Sequence, residues 1–230
     1  TLGAIDNIVR NTPVPYRFVY LDTGAPDWLR EQLRDRPELD VIRFDEPLWP
    51  QQARARYAGS IETDYVVFID NDVQVEPGWL DALVACADDT GAGVVGPLYL
   101  WGDGTTPDKI HMAGGKLSEM HEEGGRVLDE FHQLINEPPE AVANELYRRP
   151  CDFVEYHCML IRSDLVRGGK LLDPDIYCVH EHIDTALAAR QLGFDVFLEP
   201  SARVTYLAFR EYMLDDLALF AEEHVRAALH

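Results

Sequence analysis

Asp70, Asn71 and Asp72 follow directly on the apolar run Tyr65–Ile69, in the stretch YVVFIDNDVQVEPGWL. Two carboxylates two positions apart at the mouth of a buried run repel each other and lose hydration. Such a pair asks for a positive charge, and its oxygen donors suit Mg2+ or Mn2+. The plain alternative is a solvated Asx-type turn that ends a strand. The longer pattern, Asp-x-Asp followed by Pro77-Gly78-Trp79-Leu80, is more specific than the two acids alone. A second candidate group is Glu181, His182 and Asp184, in HEHID. Carboxylates and imidazoles are the side chains that most often accept protons in catalysis. The plain alternative is that the acids favour a helix N-terminus. A lone histidine such as His111 or His157 is more often a hydrogen-bonded structural residue than a ligand. Trp101, beside GDGT in a polar stretch, is a candidate for ring stacking on a ligand, whereas Trp79 is expected in the core.

These residues need elements to position them. Tyr16 to Leu21 reads as a strand ending at Asp22, and Pro26 to Arg34 as a helix opened by proline. Val41 to Phe44 is a short strand, Gln51 to Ile61 a helix, and Tyr65 to Ile69 the clearest strand. Pro77 to Ala87 is a helix and Ala92 to Leu100 a strand. Strands alternating with helices at these lengths predict βαβ units and a mostly parallel sheet. Ligands in such sheets bind at the carboxyl ends of the strands, where Asp22, Asp70 and Asp72 fall. The stretch 101–150 reads as irregular. Asp152 to Arg162 reads as one core strand, Glu181 to Leu192 as a helix with Gly193 as its C-cap, and Val196 to Leu198 as a strand. Leu214 to Ala228 has the spacing of a closing helix with one buried face.

The 230 residues carry a net charge of −21, which argues against binding nucleic acid or an anionic membrane. Seventeen of the twenty basic residues are arginine. Such an acidic surface is either a salt-tolerant solubility device or a compositional bias. Cys86, Cys151, Cys158 and Cys178 show no zinc-type spacing and are expected as buried thiols. No apolar run reaches the roughly 18 residues of a membrane span and no signal peptide is visible, so a soluble, cytoplasmic protein is expected.

The run VVFIDNDVQVEPGWLDAL resembles the metal-binding region of family 2 glycosyltransferases, which have the GT-A fold. FVYLDTGAPDWL resembles that family's second strand, KIHMAGG a segment common in bacterial members, and HEHIDTALAARQLGFDVFLEPSARV the acceptor-side motif with its helix and strand. The resemblance implies a Rossmann-like, mostly parallel sheet flanked by helices, in one catalytic domain over 1–230. Residues 1–100 would form its nucleotide-binding half and 101–230 its acceptor side. The family's usual first strand has no match before Thr12 and is expected to be missing from this chain. The resemblance further implies a nucleotide-sugar donor, a saccharide or other hydroxyl acceptor, a divalent metal and inversion at the anomeric carbon. Asp22, Arg54, Asp70, Asn71 and Asp72 would bind the donor, with Asp70 and Asp72 on the metal. Where the family carries Arg-Asn, this chain has Arg54-Ala55. The base could be Glu181, His182 or Asp184, since the family's usual Glu-Asp falls here on Glu181-His182. The family's Val-x-His ligand falls on Val204-Thr205-Tyr206, leaving the metal to keep waters or to take His157 or His111. A sugar nucleotidyltransferase and a non-catalytic nucleotide- or carbohydrate-binding domain are the competing readings.

Overall fold

A computed structural model describes residues 1–102, 109–122, 125–176 and 180–207. The expected closing helix around Leu214 to Ala228 and the thiol of Cys178 lie outside these residues. The chain opens with α1 (Leu2–Asn11), β1 (Phe18–Asp22), α2 (Asp27–Arg34) and β2 (Leu39–Arg43). β1 and β2 pair in parallel and form a small sheet of their own. Ile5, Leu29, Leu33 and Leu39 close an apolar cluster beside it. Then come α3 (Pro50–Tyr57), β3 (Tyr65–Ile69), β4 (Val73–Val75), α4 (Trp79–Thr90) and β5 (Val94–Gly102). β6 (Lys109–Met112) is followed by a hairpin of β7 (Gly115–Glu122) and β8 (Gly125–His132). β9 (Arg149–Cys151), β10 (Cys158–Arg162), α5 (Ser163–Arg167), α6 (Glu181–Gln191) and β11 (Val196–Leu207) complete the described fold.

The large sheet runs β3-β10-β5-β11-β4, with β6 on β5 and β9 on β11. It is mixed, which corrects the mostly parallel sheet expected from the sequence. β10 is antiparallel to both β3 and β5, β4 is antiparallel to β11, and only β5 and β11 pair in parallel within this sheet. A buried apolar run reports that a strand exists but not which way it runs. β9 and β10 both run against β5 and β11, so the expected strand Asp152 to Arg162 is interrupted rather than reversed: β9 ends just before it, a turn occupies 152–157, and only β10 lies within its bounds.

Three features hold that turn. Tyr99, fully buried on β5, donates its hydroxyl toward the Glu155 and Cys158 carbonyls at 2.9 and 2.8 Å and accepts the Glu155 N–H at 3.1 Å. Phe153 and Val154 are completely buried. Gly96 lets Val154 approach, since a Cβ there would lie 2.5 Å from the valine side chain. The core is built from β5, β10 and β11 with α4 and α6, and includes Trp79 as expected. Gly193, at φ +86, ends α6 in the left-handed conformation that glycine adopts without steric cost. Cys86, Cys151 and Cys158 are free, buried thiols. No helix among the described residues is long and apolar enough to cross a membrane.

Candidate active site

The antiparallel seam between β3 and β10 builds the centre of the site. Its register sets Cys158 opposite Ile69, so the residue before β10 meets the residue after β3. The Asp70 N–H donates to the His157 carbonyl at 3.2 Å, and His157 Nδ1 lies 3.0 Å from Asp70 Oδ2. On the other side of Asp70, Arg54 Nη2 stands 3.4 Å from Oδ1. The same guanidinium places Nη1 at 3.5 Å from Glu181 Oε1 and lies over the Tyr156 ring at 3.9 Å. Arg54, on α3, therefore joins the end of β3 to the first residue of α6. That helix begins after His180, whose φ of 62° turns the chain sharply into it.

Asp72 is set more deeply. Its Oδ1 is buried with no hydrogen-bond partner. Burial raises its pKa, and the neighbouring Asp70 charge adds to the shift. The Leu207 N–H holds the Asp72 carbonyl at 2.9 Å, so the end of β11 lies beside the acids. Tyr206 stacks on His157 with ring centres 4.1 Å apart and planes 17° apart. Burial alone would lower the His157 pKa. The Asp70 hydrogen bond and the charges of Glu155, Asp70 and Asp72 overcome it and push the pKa up to about 9. Glu155 is the opposite case: burial would raise it, but His111, His157 and His132 bring it down to about 2.

The remaining candidates divide. Asn71 is exposed in the acidic turn, near the Tyr20 hydroxyl of β1, whose pKa burial raises and Asn71 lowers by less. β1 pairs with β2 and not with β3, so Asp22 and Asp70 lie at the ends of strands of two different sheets rather than of the one sheet expected. Asp22 is 2% exposed and its Oδ1 accepts the Gly24 and Ala25 N–H groups at 3.0 and 2.6 Å. Its Oδ2 takes Arg30 at 3.1 Å. His182 turns away from Glu181 toward Glu130 on β8, with Nε2 at 3.3 Å from Oε2. Asp184 lies further along α6, where burial and the charge of Asp173 raise its pKa. Of the acidic cluster, the structure joins only Glu181 to Asp70, through Arg54. Trp101 lies at the end of β5, its ring 4.2 Å from that of His111 and 5.9 Å from that of Tyr206. Glu155, His132 and Tyr99 escaped the sequence reading. The signal available was Glu155 and His157, two polar residues interrupting an otherwise apolar run.

A mixed sheet with acids at the carboxyl end of β3 and a helix carrying Glu181 beside them has the architecture of a GT-A glycosyltransferase. The crystal structure of GalNAc-T7 with UDP, GalNAc and Mn2+ is similar to this chain, with a TM-score of 0.64 at 17% identity. The match covers 88% of this chain and 40% of that one, so the chain spans less than half of that protein. No curated protein matches the chain. The profile of Glycosyl transferase family 2 matches residues 2–166, and the chain belongs to that family.

Proposed function

We propose that this protein transfers a sugar, with inversion, from a nucleotide-sugar donor to a hydroxyl acceptor, and that the transfer depends on a divalent metal. The observation that carries this reading is the Asp72 carboxylate, buried beside Asp70 with one oxygen unpartnered. Hard oxygen donors at that position fit Mg2+ or Mn2+, and Asp72 with Asp70 would hold the ion. When bound, the ion supplies positive charge against the departing nucleoside diphosphate. The chain's own residues do the rest. Arg54 fixes Asp70 and Glu181 at a set separation. Glu181, whose Oε2 is buried and unpartnered, takes the proton of the attacking hydroxyl on the face opposite the leaving group. Asn71, exposed in the acidic turn between the two acids, would contact the donor. The Mn2+ and UDP bound by GalNAc-T7 support a metal and a nucleotide in a fold of this kind.

Titration of a nucleoside diphosphate by calorimetry, with Mn2+ and with EDTA, tests the reading. Binding should require the metal, and Asp72→Asn should weaken it by about a hundredfold or more, as expected for losing several kcal/mol of charge stabilisation. Equal affinity in EDTA and in Asp72→Asn would overturn metal dependence. Tyr206 in place of the family histidine favours a second reading, a domain that binds nucleotide without turnover. The anomeric configuration of the product, followed by NMR, separates the two: an inverted product supports transfer, and donor left intact supports binding alone.

A further inference from the structure

A separate group of metal-type side chains lies behind His157. His111 on β6, His132 at the end of β8 and Glu155 in the turn before β10 bring one donor atom each within 4.8 Å of one another. His111 Nε2 is 2.7 Å from Glu155 Oε2, and His132 Nε2 is 3.4 Å from Glu155 Oε1. The two imidazole planes stand at 89°, with centres 4.9 Å apart. All three side chains are largely buried, at 8, 16 and 14% exposure. Bonds of about 2.1 Å from a tetrahedral ion put its donors about 3.4 Å apart, so this trio needs only small side-chain adjustments to close on one.

We propose that His111, His132 and Glu155 form a second metal site, for a borderline divalent transition ion of the Zn2+ type. Its donors differ from those of the acidic pair. Two imidazoles and one carboxylate match the open three-ligand centres that Zn2+ favours, whereas Mg2+ prefers oxygen throughout. His111 Nδ1 is buried and has no hydrogen-bond partner, so Glu155 is the one side chain hydrogen-bonded to that ring among the described residues. The three ligands come from three separate elements. An ion there would tie the β7–β8 hairpin to the large sheet. It would also fix Glu155, and with it the turn that holds His157 against Asp70.

Co2+ is the probe, added to the purified metal-free protein and followed by its d–d absorption and by equilibrium dialysis. One Co2+ per chain should bind with the intense absorption of a four- or five-coordinate nitrogen-containing site, and Zn2+ should displace it while excess Mg2+ does not. Asp72→Asn should leave this signal in place. His132→Gln and Glu155→Gln should each weaken it by at least about tenfold, with far-UV circular dichroism confirming that the variants fold. The wild-type spectrum decides even if a variant does not fold. A weak six-coordinate spectrum, its loss in Asp72→Asn, or displacement by Mg2+ would each overturn the site. Loss of nucleotide binding in Asp72→Asn while the Co2+ signal persists would separate this inference from the proposed transfer reaction.

Discussion

Glu181 and His182 are chain neighbours with different surroundings, and that difference decides which should act as base. Glu181 shares Arg54 with Asp70, whereas His182 is spent on Glu130 across the hairpin. Glu181→Gln keeps size but removes the proton acceptor, so kcat should fall by about 10²–10⁴-fold. His182→Gln should cost less than about tenfold, because it removes a contact to the hairpin and no acceptor of the proton. Steady-state rates of the two variants check this, and the reverse order would assign the base to His182. The sequence pointed to the HEHID cluster but left its members equal. What separates them is Arg54, 127 positions away in the chain, and no local pattern reports such a partner. Asp70 and Asp72 were legible because an apolar run and an acidic turn are both local signals. Asp22 was visible for the same reason, yet its oxygens are occupied by the turn that follows it and by Arg30.

At the scale of elements, the strongest apolar runs read correctly. β3 has the bounds expected of it, and α6 ends within a residue of the expected position. The failures have physical causes. The β7–β8 hairpin carries lysine, glutamate, aspartate and serine among its apolar residues, and no clear period marks it. β11 runs for twelve residues where three were expected, because Glu199, Pro200 and Ser201 interrupt its apolar pattern at a register shift. The broken strand at 152–157 depends on a distant tyrosine. Tyr99→Phe removes the hydroxyl that serves the Glu155 N–H and two carbonyls, leaving buried groups unpaired at a cost of about 1–3 kcal/mol. Chemical denaturation should show that loss, and donor affinity should fall with it, because the same turn places His157 on Asp70. Lost stability with unchanged donor affinity would detach the turn from the site.

For the molecule as a whole, charge sets the response to acid. Burial alone would raise the Asp22 pKa, but the Ala25 and Gly24 N–H groups and Arg30 hold it below the ordinary value. Protons therefore bind the unfolded chain more readily at this position. The stabilisation is fully present above the ordinary carboxylate range near pH 4 and is lost as pH falls through it toward the folded pKa. Asp22→Asn should lower stability at pH 7 by about 1–3 kcal/mol and flatten the decline of the melting midpoint between pH 5 and pH 3. An unchanged acid slope would show that other carboxylates carry it. Asp72 has the opposite sign, its raised pKa making the ionised form a cost to the folded protein at neutral pH. The seam between β3 and β10 bears on how the chain reaches this state. Asp70 and His157 are 87 positions apart, so the centre of the site exists only after a long loop has closed. Contacts of that span are formed late and slowly, since closure entropy must be met before they contribute. A one-residue slip in this seam would carry every side chain of β10 to the opposite face and take His157 off Asp70. The proposed donor site therefore belongs to both halves of the chain at once, since neither Asp70 nor His157 forms its centre without the other.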